Sequence, residues 1–384
     1  MTPGSRTRPR VLFVLPSLAG GGAERTVLNL LNHLDLERFT PTLVLFQLEG
    51  PYLSLLRDDI EVVVINRRTR SALFPLARQI RRLRPHLVFS TLLLSNVVAV
   101  AARLLSLHPA VSIVRESNHQ TAAGRATTGL QGRAVGWAYR RAHRVVSLSV
   151  GVAADVRERY GLSSERTCVI YNPVDLQHVQ TLSAEPLPAE VRYPYPGRFN
   201  VLAVGRFMPQ KGFDLLIRAM ASLRDTHWHL TILGEGRERE ALERLAAELS
   251  VASRVDFPGF QQNPYSWMAR ADLFVLSSRW EGFGHVIVEA MACGTPVLAT
   301  RCPSGPAEII EDRVDGRLCA ITVEDLAERI AELADSPEDR RRYAEAGRVT
   351  VKRFDVQAIA RQYEDLFLEA IARQPTARMD AGVC

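Results

Sequence analysis

Twice along the chain, short runs rich in Val, Ile and Leu alternate with stretches of helical length. In the first half the runs are Val11–Leu15, Thr42–Phe46, Val62–Ile65, Leu87–Phe89, Ser112–Val114 and Val145–Leu148. In the second half they are Val201–Val204, His229–Leu233, Val255–Phe257, Leu273–Leu276 and Val297–Ala299. Short apolar runs without polar alternation read as strands covered on both faces. Helix-length connections between them make neighbouring strands parallel. The expected fold class is therefore α/β, with two Rossmann-like domains whose parallel sheets face a central cleft.

Between the two series, Pro173, Pro186, Pro188, Pro194 and Pro196 break the rhythm. Proline fixes φ and donates no amide hydrogen, so neither a continuous helix nor a central strand suits this segment. It divides the chain into an expected first domain over 1–175, a linker over 176–198 and a second domain over 199–355. Beyond that, Ile359, Tyr363, Leu366, Phe367 and Ala370 recur at helical spacing without starting a third series. A helix over 356–375 is expected to pack back onto the first domain.

The 384 residues are 47% hydrophobic and 23% charged, as in a folded protein rather than a disordered one. No apolar run reaches the roughly 18–20 residues of a membrane-spanning helix, and no signal-peptide core follows the arginine-rich start. A cytoplasmic location is expected. Cys168, Cys293, Cys302, Cys319 and Cys384 are scattered, with no CxxC pair or neighbouring histidine ligands, so neither zinc nor a disulfide framework is expected. The net charge of +6 is uneven: residues 1–190 hold 23 arginines against 14 carboxylates, and the remainder is acidic. Lys211 and Lys352 are the only lysines, which fits a composition bias more simply than a surface design.

Three segments sit where strands of such a sheet end. The first is Glu281-Gly282-Phe283-Gly284-His285-Val286-Ile287-Val288-Glu289, after the strand at 273–276. Its glycines allow close backbone approach, and a helix beginning near Phe283 or Gly284 directs free amides at an anion. The second is Gly205-Arg206-Phe207-Met208-Pro209-Gln210-Lys211, after the strand at 201–204. The third is Gly20-Gly21-Gly22-Ala23-Glu24-Arg25, after the first strand. It fails the dinucleotide fingerprint because Arg25 stands at the third glycine position.

The spacing of Glu281 and Glu289 resembles the E-x7-E signature of glycosyltransferase family 4, of the GT-B fold and bacterial type. The resemblance spans nearly the whole chain and is strongest over 201–310. It implies an acceptor-binding first domain and a nucleotide-sugar-binding second domain. Carried over residue by residue, it implies Glu281 at the donor sugar and Glu289 at the ribose hydroxyls. Arg206 and Lys211 are implied at the diphosphate, where a fork and a point charge offset the leaving group's growing charge. Gly21, Gly22, Gly205, Gly282, Phe283, Gly284 and His285 are implied around the donor. Phe260, within Pro258–Asn263, is implied near the base. His119, after the strand at 112–114, is implied beside the donor sugar, and Asn118 suits the same role. Pro303–Ile310 resembles a version in bacterial enzymes that transfer hexoses or N-acetylhexosamines.

The resemblance further implies a retaining, metal-independent hexosyltransferase. A nucleotide diphosphate sugar, expected to be a UDP-sugar, serves as co-substrate, with no other cofactor. The acceptor is expected to be a polyprenyl-diphosphate-linked glycan. Two basic segments suit an anionic membrane surface, which places the protein at the inner face of the cytoplasmic membrane. In one, Arg67, Arg68, Arg70, Arg78, Arg81, Arg82 and Arg84 surround Leu73, Phe74, Leu76, Ile80 and Leu83. In the other, Arg133–Arg144, Trp137 and Tyr139 interleave with Arg140 and Arg141, a pattern that a structural helix with snorkelling arginines also gives. No zinc-finger spacing, RNA-binding sheet motif or basic zipper points to nucleic acid. A nucleotide-sugar epimerase of the same fold and a non-catalytic sugar or headgroup binding module are the alternatives. A phosphorylase needs a lysine for pyridoxal phosphate, and only two lysines exist.

Overall fold

The computed structural model describes residues 8–124, 129–224 and 227–374. Residues 1–7 of the expected first domain, residue 375 of the expected last helix and Cys384 lie outside these. Cys168, Cys293, Cys302 and Cys319 are free thiols.

The first sheet contains β1 (Arg10–Leu15), β2 (Thr40–Leu45), β3 (Glu61–Val64), β4 (Leu87–Thr91), β5 (Val111–Glu116), β6 (Arg144–Ser147) and β7 (Thr167–Val169). Their spatial order is β3-β2-β1-β4-β5-β6-β7. The second contains β8 (Phe199–Val204), β9 (Trp228–Leu233), β10 (Val255–Gly259), β11 (Leu273–Leu276), β12 (Val297–Thr300) and β13 (Arg317–Cys319), in the order β10-β9-β8-β11-β12-β13. Every pairing is parallel. The order reverses between β1 and β4 in one sheet and between β8 and β11 in the other. At such a point connections leave in opposite directions and open a crevice at the strands' carboxyl ends.

Each expected strand is present within two residues of its expected ends. In β4 and β5 every residue is buried, as strands covered on both faces require. Two of the four edge strands, β7 and β13, carry no such run. β7 has three half-buried residues. In β13, Arg317 is buried only because Asp312 and Glu332 each accept from it at 2.8 Å.

The expected linker is not wholly irregular. A helix, Leu176–Ser183, occupies its first part, started by Asp175, whose side chain accepts the His178 amide hydrogen. The helix ends before Pro186. The chain passes between domains at Asn172–Asp175 and returns at Phe354–Val356, where the two crossings pair: the Val174 amide donates to Phe354 O and the Val356 amide to Val174 O, both at 2.9 Å.

The returning chain forms the helix Val356–Ala372. Its Ile359, Tyr363 and Phe367 are fully buried in the first domain's core beside Phe13 and Phe89. Phe367 meets Phe89 at 5.7 Å and Phe13 at 6.1 Å between ring centroids. Such aromatic pairs add to the gain from burial itself. Phe367→Ala is expected to cost about 3–5 kcal/mol, read as a lower denaturant midpoint.

In both basic segments the core takes up part of the apolar and aromatic side chains. In the helix Leu73–Leu83, Leu76 and Ile80 are buried against Leu12, Val14 and Val88 of the sheet, so the apolar side is spent on the core. Phe74 alone of that group points outward, 72% exposed, amid exposed arginines. In the helix Gly129–Arg141, Tyr139 is fully buried and donates to Glu116 at 2.8 Å, whereas Trp137 faces out. Among the described residues no helix is long and apolar enough to cross a membrane.

Candidate functional site

The carboxyl ends of the two sheets meet across a cavity of about 460 Å³. The first domain contributes Gly21 and Gly22 after β1, Leu92 after β4, and Ser117 and Asn118 after β5. The second contributes Gly205, Arg206 and Lys211 after β8, and Glu281, Gly282, Phe283, Gly284 and His285 after β11. Segments far apart in sequence are thus gathered by the two switch points.

Lys211 and Glu281 form the centre of the second-domain wall. Lys211 Nζ lies 2.6 Å from Glu281 Oε1, and Ser278 Oγ donates to the same oxygen at 2.7 Å. Arg206 is exposed beside them. The helix His285–Ala292 starts at Gly284, which takes φ 98°. Its first-turn amides face the cavity, as an anion-binding helix end should.

A second cavity of about 400 Å³ adjoins the first, and His285 lines both. It contains Glu289 and Phe260, the latter 69% exposed. Glu289 is not a solvated surface acid: it is 3% exposed and pairs across the cleft with Arg25 at 3.0 Å. Tyr265 donates to Glu289 at 3.4 Å and also bonds Arg25. Burial, followed by the Glu289 charge, pushes the Tyr265 hydroxyl well above its usual range. The residue that breaks the glycine fingerprint is therefore the first domain's hold on Glu289.

A second contact fixes the domains. Glu308, on the turn Pro306–Ile309, accepts from the Val150 and Gly151 amides at 2.6 and 2.9 Å. These amides begin the helix Val150–Tyr160, whose positive end favours a carboxylate.

His119 is not brought to either cavity wall. Its Nδ1 takes the Ala122 amide hydrogen at 3.2 Å and the ring lies 3.7 Å from Asp155, on the far side of the loop. Asn118 lines the cavity instead. The loop is shaped by Glu116, which is buried and accepts from the Ser117 and Asn118 amides at 2.8 and 3.0 Å and from Gln120 at 3.1 Å. Burial raises the Glu116 carboxyl above its usual value, against these donors and Tyr139.

Arg25, Tyr265, Arg115 and Asn172 were not marked as site residues by the sequence. Arg115 is fully buried yet lines the larger cavity, bonded to Asn172 and, at 3.4 Å each, to Thr26 and Thr91. A charged residue near the carboxyl end of an otherwise apolar strand is the signal that marks it. Among the described residues no group of three or more His, Cys, Asp or Glu gathers as metal ligands do.

Two family models match the chain, "Glycosyltransferase Family 4" over residues 20–178 and "Glycosyl transferases group 1" over residues 193–350. A glycogen synthase of Mycobacterium tuberculosis is 30% identical over 294 residues, covering 71% of this chain and 69% of that protein. An N-acetylgalactosamine-N,N'-diacetylbacillosaminyl-diphospho-undecaprenol 4-alpha-N-acetylgalactosaminyltransferase of Campylobacter jejuni is 30% identical over 58% of this chain. The lipopolysaccharide core biosynthesis glycosyltransferase LpsD of Rhizobium meliloti is 37% identical over 46%. The chain spans 59% and 51% of the length of these last two relatives. Among solved structures, Anabaena Alr3699/HepE in complex with UDP superposes with a TM-score of 0.80 at 25% identity, over 94% of this chain and all of that one. With both halves matched in order and the cleft residues gathered as that architecture requires, the chain belongs to the GT-B glycosyltransferases of family 4.

Proposed function

We propose that the protein transfers a hexose or N-acetylhexosamine from a nucleotide diphosphate sugar, a UDP-sugar first, to a lipid-linked glycan, with retention of anomeric configuration. One observation carries the reading: Lys211, Glu281 and the amides starting His285–Ala292 converge on one cavity, with Glu289 in the adjoining one. The UDP bound by the Anabaena relative supports uracil as the base.

The chemistry follows from the charges. As the bond from sugar to phosphate breaks, negative charge accumulates on the diphosphate, and Lys211, Arg206 and the helix amides meet it at fixed positions. Glu281 balances Lys211 and orients sugar hydroxyls of the donor, as a two-oxygen acceptor can. Glu289 takes the ribose diol, sharing its carboxylate with Arg25. The acceptor hydroxyl enters past Gly21, Gly22 and Asn118, on the face from which the nucleotide departs. No side chain is asked to form a covalent intermediate.

For the acceptor, the support is the arginine-rich surface at residues 67–84, where Phe74 stands among exposed guanidinium groups. Attraction to an anionic leaflet, at about 1 kcal/mol per basic residue near the surface, draws the first domain to the inner face of the membrane. This is an electrostatic contact, since the helix's apolar side is occupied.

A panel of nucleotide sugars, assayed for nucleotide release with and without a polyprenyl-diphosphate-linked glycan, tests the proposal. Acceptor-dependent release from one UDP-sugar, with a lengthened glycan by mass spectrometry, is the expected result. Conversion of the sugar without acceptor marks an epimerase, and tight binding without release marks a binding module; either overturns it.

A further inference from the structure

The two sheets have four edges between them, and three are blunted. β10 carries Pro258 and loses register with β9 between Asp256 and Gly259. β7 and β13 are three residues long, and β13 begins with the ion-paired Arg317. Proline, a broken register, charge and very short length are devices by which an edge avoids pairing with another chain. β3 differs. It runs in unbroken register along β2 from Glu61 to Val64, and the Ile65 amide still donates to Leu45 O. From Val62 to Ile65 every residue is β-branched and apolar.

This strand stands in the open on its outer side. Val62 and Val64 share a sheet face with Leu43 and Leu45, which are fully buried, yet they are themselves 37% and 39% exposed. Because the Ile65 amide turns toward β2, alternation along the strand turns the amides and carbonyls of Val62 and Val64 toward the free edge. No strand of this chain lies there, since β3 ends the sheet.

The charges flanking β3 change sign across it. Asp58, Asp59 and Glu61 stand at its start, and Arg67, Arg68 and Arg70 follow its end, where Asn66 turns at φ 54°. Asp59 is held by Arg57 at 2.5 Å. Asp58, Glu61, Arg67, Arg68 and Arg70 are exposed and make no ion pair among the described residues. A strand with acid before it and base after it complements its own reversed copy. Antiparallel pairing sets each acidic end against a basic one, whereas parallel pairing sets like against like.

We propose that the protein forms a homodimer through β3, paired antiparallel with β3 of a second copy about a twofold axis at Val63. In this register Val62 of each copy faces Val64 of the other, and their outward polar groups form the hydrogen-bonded pairs of an antiparallel ladder. The four valines cover one another, and Glu61 lies diagonal to Arg67 of the second copy, within reach of a long side chain. Each copy has one such edge, so pairing uses it up and assembly closes at two. A strand this short makes an interface below the standard size, so the dimer is a weak one, with a Kd of about micromolar order.

Sedimentation velocity on the whole protein over roughly 1–100 µM, a range that brackets such a Kd, tests this. The wild type is expected to pass from monomer to dimer. Val64→Pro removes an outward amide hydrogen and spares the ladder with β2. It is expected to weaken the dimer about tenfold or more, with the monomer's circular dichroism retained. Asp58→Arg with Glu61→Arg makes both ends basic, and Arg67→Glu with Arg68→Glu makes both ends acidic. Each double variant alone is expected to stay monomeric and their equal mixture to dimerise, because each supplies the charge the other lacks. A wild type that remains monomeric throughout overturns the proposal, as does a dimer that Val64→Pro leaves untouched. Double variants that dimerise alone as the wild type does, or stay monomeric when mixed, overturn it as well.

Discussion

Lys211→Ala is expected to lower turnover by about 10²–10³-fold, the range seen when one fixed transition-state donor is removed, with a smaller loss of nucleotide affinity. The difference arises because the diphosphate gains charge only as the sugar leaves, so the ammonium acts mostly at that moment. Lys211 Nζ sits 2.6 Å from Glu281. Its loss also leaves that carboxylate with Ser278 as its side-chain donor. Lys211→Arg keeps a cation and is expected to recover part of the turnover, but a planar fork does not reproduce a point charge. Steady-state kinetics with direct nucleotide titration separates the two effects. Unchanged turnover in Lys211→Ala would reject the assignment.

Gly212→Ala is expected to destabilise the protein by roughly 3 kcal/mol or more. Gly212 takes φ 62° and ψ 28° between the turn Pro209–Lys211 and the helix Phe213–Ser222. A Cβ there lies 2.1 Å from Ser277 O, a backbone atom just past β11. Neither side can yield, because Ser277 Oγ donates back to Lys211 O at 2.9 Å. The β8 and β11 loops are thereby locked together, one carrying Lys211 and the other leading to Glu281. A lowered urea midpoint with an unchanged slope is the expected signature. Midpoints equal to wild type would contradict this account.

The sheets were legible because burial on both faces writes itself into a strand as an uninterrupted apolar run, as in β4 and β11. The edge strand β7 escapes because it is only half covered, and β13 because it is three residues long and begins with Arg317, which enters the second sheet by bringing its own carboxylates. The helix Leu176–Ser183 was hidden by prolines on both sides, although Asp175 gave its start. At the site, Gly21, Lys211 and Glu281 were readable because a strand's end and a glycine turn are local signals. Side-chain direction is not local. Nothing near His119 in sequence reveals that the loop buried by Glu116 turns its ring toward Asp155. Likewise the pairing of Arg25 with Glu289 depends on how two separately written domains face each other, which no run of residues encodes.

The aromatic cluster of Phe13, Phe89 and Phe367 joins residues separated by more than two thirds of the chain. Translation proceeds at roughly 5–20 residues per second, so β1 and β4 wait tens of seconds on the ribosome before the helix that covers them exists. Until then the first sheet leaves the nascent chain with an open apolar face, while the second domain, complete by about residue 355, is free to consolidate first. The order of assembly is thus inverted relative to the order of synthesis. A chain ending at residue 355 and released from the ribosome should resist protease in its second half and be cut in its first.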